Sequence, residues 1–249
     1  MMMRTHMLGV IPARWASTRF PGKVLHPLAG RPLLQHVWER CKRCRRLDRV
    51  IIATDDERVR AVAEDFGAEV RLTAATHPSG TDRVAEVIQA EPEATHAINV
   101  QGDEPLVDPE LIDRLAEALS EDAELPMVTA ANALRDPATA ANPNVVKVVV
   151  NASGDALYFS RSLIPYHRNP GEDPPYYRHH GLYGYSRSFL LQFVAWAPSP
   201  LERAEQLEQL RALEHGARIR VLMTLGDSIG VDTPEQAEAV GRLLERGAA

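Results

Sequence analysis

The chain has 249 residues, 45% hydrophobic and 25% charged, with a formal net charge of −6. This is ordinary globular composition, and the acidic balance excludes a long nucleic acid or an anionic membrane surface as partner, while a small anionic substrate can still be met by local cations. No stretch approaches the ~20 apolar residues of a membrane helix, and the opening MMMRTHM is too short for a secretory signal, because Pro12 breaks the apolar run behind it; residues 1–7 are expected to be a loose extension of a cytoplasmic protein.

Residues 8–11 (LGVI) suit one buried strand, which Pro12 stops. The loop that follows carries Arg14, Ser17, Arg19 and Lys23 around Pro21 and Gly22. Prolines stiffen such a loop, glycine lets a backbone approach closely, and the cations neutralise phosphate, so the loop reads as a polyanion site. The phosphate signatures GxxxxGK[ST] and GxGxxG are absent, and spacing alone also describes a solvated basic loop. A helix is expected over 32–44, with Pro32 in its first turn and basic residues at its C-terminal end. Cys41 and Cys44 fall late in that pattern, with no second cysteine pair, and read as half-buried helix residues. Without a disulfide framework, a reducing compartment fits.

Residues 49–53 form a buried strand. Asp56 caps a helix that runs to Phe66 and stops at Gly67. A short strand covers 69–72. The turn THPSGTDR (76–83) runs into a helix carrying Val84, Val87 and Ile88. The strand at 97–100 ends in Gln101-Gly102-Asp103-Glu104-Pro105, and Asp108-Pro109 opens a further helix. Strands alternating with helices predict βαβ units and a parallel sheet, whose ligands sit at the carboxyl ends of the strands. The clusters at 14–23, 79–81 and 101–103 should therefore converge. Beyond residue 127 the pattern changes. Residues 127–131 are strand-like, and 145–150 and 156–159 form a hairpin about Asn151-Ala152-Ser153-Gly154-Asp155. Residues 169–175 (NPGEDPP) read as a loose loop and 178–186 as a polar-aromatic strand. Ser199-Pro200-Leu201-Glu202 is a capping box opening a helix that Gly216 ends. After a strand at 219–224, a second capping box at Thr233 opens the last helix.

Asp103 follows a buried strand and Asp232 a Gly-Val pair just before a helix N-terminus; if they met at the strand ends, they could hold Mg²⁺ between them and a triphosphate. A turn residue and a helix-dipole partner are the plainer readings. Arg161 ends the hairpin, where a surface ion pair is the alternative. His179, Tyr183 and Tyr185 share strand parity and face one side; the patch suits a hydroxyl-rich ligand or aromatic core packing. Glu208 and Gln209 lie mid-helix, a position that also fits a solvated face.

VIPARWASTRFPGK, INVQGDEPL, NPNVVKVVV, ALYFSRSLIP, RHHGLYGYS, SPLERAEQLEQLR and GVDTPEQ, in that order, resemble the 3-deoxy-manno-octulosonate (Kdo) cytidylyltransferases, or CMP-Kdo synthetases. The resemblance implies a three-layer α/β/α sandwich of the nucleotide-diphospho-sugar transferase type, with a mainly parallel central sheet and a small β-hairpin insertion. It implies a single nucleotidyltransferase domain over 1–249, a sugar-binding and dimerisation subregion at about 127–187, a homodimer, and Mg²⁺-dependent conversion of CTP and Kdo to CMP-Kdo and pyrophosphate. Arg14 and Lys23 would bind the CTP phosphates with Ser17 and Arg19 in support, while Ser79, Gly80 and Gln101 would lie around the cytidine. Asp103 and Asp232 would hold the metal and, with Arg14 and Lys23, form the catalytic set. Arg161 would take the sugar carboxylate, and His179, Tyr183, Glu208 and Gln209 its hydroxyls. Two departures stand out: Asp227-Ser228-Ile229-Gly230 replaces a Gly-Thr-Gly-like approach to Asp232, and the segment between Arg161 and His179 is short. Close relatives of the family act on 8-amino-Kdo, and a nucleotide-binding regulator on the same fold is the alternative outside enzymes.

Overall fold

The first apolar run becomes strand β1 (Met7–Pro12), buried along its first five residues. The computed structural model describes residues 5–16, 20–134, 136–169, 175–227 and 229–246. Its chain divides into two units, residues 1–117 with 228–249, and residues 118–227. Ser17 and Arg19 of the basic loop, and residues 170–174 of the expected loose loop, lie outside the described residues.

In the first unit, the hairpin of β2 (Pro27–Leu28) and β3 (Arg31–Pro32) precedes α1 (Leu33–Cys41). There follow β4 (Arg49–Thr54), α2 (Glu57–Asp65), β5 (Glu69–Leu72), α3 (Gly80–Ala90) and β6 (His96–Asn99). The strands run parallel in the order β6-β1-β4-β5. Because β1 and β4 are covered on both faces, Val10, Ile11, Ile51 and Ile52 are fully buried, as near-continuous apolar runs require. Asp56 and Ser79 cap α2 and α3 through their side chains. Helix α4 (Pro109–Glu121) carries the boundary between the units.

Two expectations are corrected here. Strand β1 begins at Met7, inside the stretch expected to be loose, and the backbone amides of His6 and Met7 donate to Thr95 Oγ1 and Asp48 Oδ2 at 2.9 and 2.7 Å. Helix α1 stops at Cys41, so only Cys41 is a helix residue. Cys41 is wholly buried and Cys44 lies in the following turn. Burial pushes the Cys44 thiol up to about 12, leaving it protonated and unreactive.

In the second unit, β7 (Met127–Leu134) is followed by the short α5 (Pro137–Ala141) and an antiparallel hairpin of β8 (Lys147–Val150) and β9 (Ala156–Ser160). Strand β10 (Tyr176–Ser186) pairs antiparallel with β7 and β8 and carries a bulge between His180 and Tyr183. Ser186 then caps α6 (Arg187–Ala195). The capping box at Ser199 forms as expected, but its helix is corrected to two: α7 (Pro200–Glu205) and α8 (Gln209–Glu214). Gln206 separates them in the left-handed region at φ 54°. Strand β11 (Ile219–Thr224) runs parallel to β7. The chain then returns to the first unit as α9 (Pro234–Glu245), opened by the expected capping box at Thr233. The architecture is the expected α/β class, with mainly parallel β structure flanked by helices and a small hairpin.

Candidate functional site

Beyond Pro12 the chain continues against β4, with the Ala13 amide donating to the Ala53 carbonyl at 2.8 Å. The basic loop then closes on itself. The Gly22 amide donates to the Trp15 carbonyl at 3.0 Å, while the Arg58 guanidinium stacks 3.7 Å over the Trp15 ring. Gly22 has φ 70°, and a Cβ there would lie 2.8 Å from the same ring, so the position needs glycine on two counts. Two other glycines report convergence at the end of β1. A Cβ on Gly102 would sit 2.7 Å from the Pro12 carbonyl oxygen, and one on Gly80 would sit 3.4 Å from Pro12 Cγ. The segments after β1 and β6 and the start of α3 therefore meet at one end of the parallel strands, as expected for a ligand site of this topology.

Lys23 is at the centre of this meeting. Its Nζ donates to Asp103 Oδ2 at 2.5 Å and to Asp232 Oδ1 at 2.9 Å. The Val231 amide donates to the Asp103 carbonyl at 2.9 Å, tying the returning chain to the loop after β6. Gln236 Oε1 accepts from the amide of Asp232 at 2.7 Å, which fixes the second carboxylate at the start of α9. Burial alone would lower the Lys23 pKa. The charge and hydrogen bond of Asp103, together with those of Asp232, outweigh it and raise the pKa above the ordinary lysine value. Two carboxylates thus aim at one point, where they already hold a cation.

Arg14 is half-buried, and its Nη2 has no hydrogen-bond partner among the described residues. An arginine nitrogen withdrawn from water and left unbonded fits an anionic ligand. Ser79, expected near the cytidine, spends its hydroxyl on α3: Oγ accepts from the amides of Thr81 and Asp82 at 3.1 and 3.2 Å and donates to Asp82 Oδ2 at 2.6 Å. Gln101 is half-buried beside Gly102.

The second unit gathers the other expected residues. Arg161 makes no ion pair among the described residues. Its Nε donates to the Glu205 carbonyl at 2.7 Å, Nη1 to the Pro143 carbonyl at 3.1 Å and Nη2 to the Gln206 carbonyl at 3.4 Å. A guanidinium has five N–H donors, so among the described residues two remain, one on each terminal nitrogen, which matches the two oxygens of a carboxylate. Glu205 completes the support: its carboxylate accepts from Ser160 Oγ at 2.6 Å and from the Arg161 amide at 2.9 Å.

His179, Tyr183 and Tyr185 share a side as expected, with ring centroids 5.3 and 5.9 Å apart along the row. The bulge adds two residues relative to β7 and so preserves parity. His179 Nε2 lies 3.0 Å from Thr129 Oγ1, and that hydroxyl donates to the Leu182 carbonyl at 2.8 Å, so the imidazole is a neutral donor here. Burial, aided by the charge of His180, lowers its pKa to about 3. Burial pushes the Tyr183 hydroxyl up, with Tyr185 and Glu208 adding to the effect, so Glu208 acts on the same row. Glu208 and Gln209 are not mid-helix: Glu208 precedes α8, and Gln209 is 3% exposed with Nε2 unbonded among the described residues. The break at Gln206 turns them inward.

Sequence reasoning did not single out Glu205 or Lys147. Lys147 is fully buried, and Glu205 sits in LERAEQLEQLR as an ordinary helix glutamate. A lysine inside the run VVKVVV was the one available signal, since a charge between strand valines needs internal partners.

A profile of the cytidylyltransferase family matches residues 8–219. The chain is 54% identical over 243 residues to a 3-deoxy-manno-octulosonate cytidylyltransferase of Solibacter usitatus, covering 98% of this chain and 96% of that one. It is 49% identical to the protein of the same name from Myxococcus xanthus, with 98% of each covered. A solved structure of CMP:2-keto-3-deoxy-manno-octonic acid synthetase complexed with CTP superposes with a TM-score of 0.93 at 42% identity, over 98% of this chain and 100% of that one.

Proposed function

The chain belongs to the 3-deoxy-manno-octulosonate cytidylyltransferase family, and from that premise we propose that it transfers the cytidylyl group of CTP to Kdo, giving CMP-Kdo and pyrophosphate for lipopolysaccharide-type sugar synthesis. The observation that carries the reading is the convergence of Asp103 and Asp232 on the Lys23 ammonium. Two hard carboxylate oxygens already spaced around a cation fit Mg²⁺, which binds through few protein carboxylates and takes its remaining ligands from water and phosphate. Asp103 and Asp232 would hold the ion. When bound, it neutralises phosphate charge and lowers the pKa of a coordinated hydroxyl.

The chain's own residues do the rest by positioning and charge. Arg14 and Lys23 bind the triphosphate, joined by Ser17 and Arg19. Lys23, released from the two carboxylates, meets the negative charge that builds as the bond between the α and β phosphates breaks. Gln101, Gly80 and the segment at Ser79 lie around the cytidine. In the second unit, the two open donors of Arg161 take the sugar carboxylate. His179, Tyr183, Glu208 and Gln209 take its hydroxyls, with the neutral His179, whose Nε2–H is spent on Thr129, able to accept from a hydroxyl at Nδ1. The anomeric hydroxyl attacks the α-phosphorus, pyrophosphate leaves, and the hydroxyl proton passes to solvent; no residue is assigned as an obligatory base. An acidic sugar is selected because Arg161, if buried by a neutral one, would keep two donors unmatched. The enzyme acts as a cytoplasmic homodimer.

The test is pyrophosphate release with CTP and Mg²⁺ while Kdo, 8-amino-Kdo and N-acetylneuraminate are presented separately. Release with Kdo is the expected result. Release with one of the others alone moves the sugar assignment. No release from folded, CTP-binding protein overturns the enzymatic reading.

A further inference from the structure

Lys147, the first residue of β8, is fully buried, and its ammonium meets no carboxylate within ion-pair distance among the described residues. Its Nζ donates instead to three backbone carbonyls: Val145 and Arg161, each at 2.6 Å, and Asn142 at 3.1 Å. An ammonium has three N–H donors, and all three are used. The three acceptors are not independent of the arginine. One is the Arg161 carbonyl itself. The other two bracket Pro143, whose carbonyl accepts from Arg161 Nη1. A single cation therefore fixes both the main chain of Arg161 and the turn against which its guanidinium rests. A buried charge without a carboxylate is costly to keep, and an apolar residue would satisfy packing at that point with less penalty.

We propose that Lys147 is a positioning residue for the sugar half of the reaction: by holding the carbonyls of Asn142, Val145 and Arg161 together, it sets the direction of the two guanidinium donors that Arg161 leaves open. The proposal rests on the reading of Arg161 as the ligand of the sugar carboxylate. It adds that the aim of Arg161 is determined from a residue that touches neither substrate.

Steady-state kinetics of Lys147→Met, with folding checked by thermal melting and CTP binding, test it. The expected result is a rise of about tenfold in KM for Kdo, the scale of one misaligned charge-assisted contact, while KM for CTP stays within about twofold. A folded variant whose KM for Kdo is unchanged, or whose two KM values rise together, overturns the proposal. Lys147→Gln, which keeps an amide donor in the pocket, is judged by the same ratio and decides the matter if the methionine variant does not fold. Arg161→Lys belongs in the same series. If it leaves KM for Kdo unchanged, the reading of Arg161 itself fails. If it raises KM for Kdo while neither Lys147 variant does, only the positioning role fails.

Discussion

Two lysines withdrawn from water, Lys23 half-buried and Lys147 fully buried, are partnered in opposite ways. Lys23 in the first unit faces two carboxylates, whereas Lys147 in the second faces three neutral carbonyls. The carboxylates keep their charge when the ammonium leaves, so Lys23 marks a place where one cation can exchange for another. The carbonyls bring only dipoles, and removing the ammonium would leave them buried and unbonded, so Lys147 is a fixture. The pKa directions agree. Asp103 and Asp232 raise Lys23 against its burial, while burial lowers Lys147, with only Glu205 opposing. The partner set of each lysine thus separates the proposed site of chemistry from the proposed site of support.

The largest effect should come from removing the exchangeable charge. Asp103→Asn and Asp232→Asn should each cut Mg²⁺-dependent turnover by about 10³-fold, the scale of losing one preorganised electrostatic partner, with the thermal midpoint largely kept. Near-normal turnover in either variant would remove that residue from the metal pair and end the contrast between the lysines.

A second effect sharpens the contrast on the backbone side. Gly102→Ala places a methyl 2.7 Å from the Pro12 carbonyl. The forced shift should destabilise the protein by about 1–3 kcal/mol and raise the Mg²⁺ concentration needed for half-maximal turnover, because Asp103 is the next residue. Chemical denaturation and a Mg²⁺ titration read the two parts separately.

The smallest effects are in pH dependence. Lys23, raised on folding, contributes stability that is present below the unfolded lysine value of 10.5 and is lost as pH rises through its folded value. Lys147, lowered on folding, has the opposite sign: the unfolded chain holds the proton more tightly, so its contribution rises with pH in the window just below 10.5. Urea midpoints measured across that range should slope more steeply upward in Lys23→Met and more downward in Lys147→Met than in the parent. On the acid side, His179 at about 3 and His180 at about 4 stay neutral where the unfolded chain protonates. Stability should therefore fall as pH drops from 6.5 towards 4 and level off near 3, and His180→Asn should flatten part of that slope.

The first unit was the more legible of the two. Its strands are continuous apolar runs, its helices are capped by Asp56 and Ser79, and the convergence at Pro12 follows from parallel topology alone. In the second unit the hairpin about Asn151 and the capping box at Ser199 could be read, since each is a local device. Helix α6 could not, because Ser186 is at once the last residue of β10 and the cap of α6, with no breaker between them. The stop after Glu205 was also hidden: it depends on Gln206 adopting a left-handed conformation that glycine or asparagine would have announced. Placing Glu208 and Gln209 depended on that break. Lys147 escaped for a different reason, since its partners are main-chain atoms, which carry no residue identity to read, and Glu205 because its partners Ser160 and the Arg161 amide lie more than forty residues away.

The order of synthesis gives the returning segment a further meaning. Asp103 is made before the whole of the second unit and Asp232 after it, and the bond from the Val231 amide to the Asp103 carbonyl joins the two only then. A growing chain can bury β1, β4 and β6 while its carboxylate pair is still half built. If the pair holds the metal as proposed, catalytic competence is withheld until translation has passed Asp232, and any chain released earlier can fold in part but cannot assemble the pair.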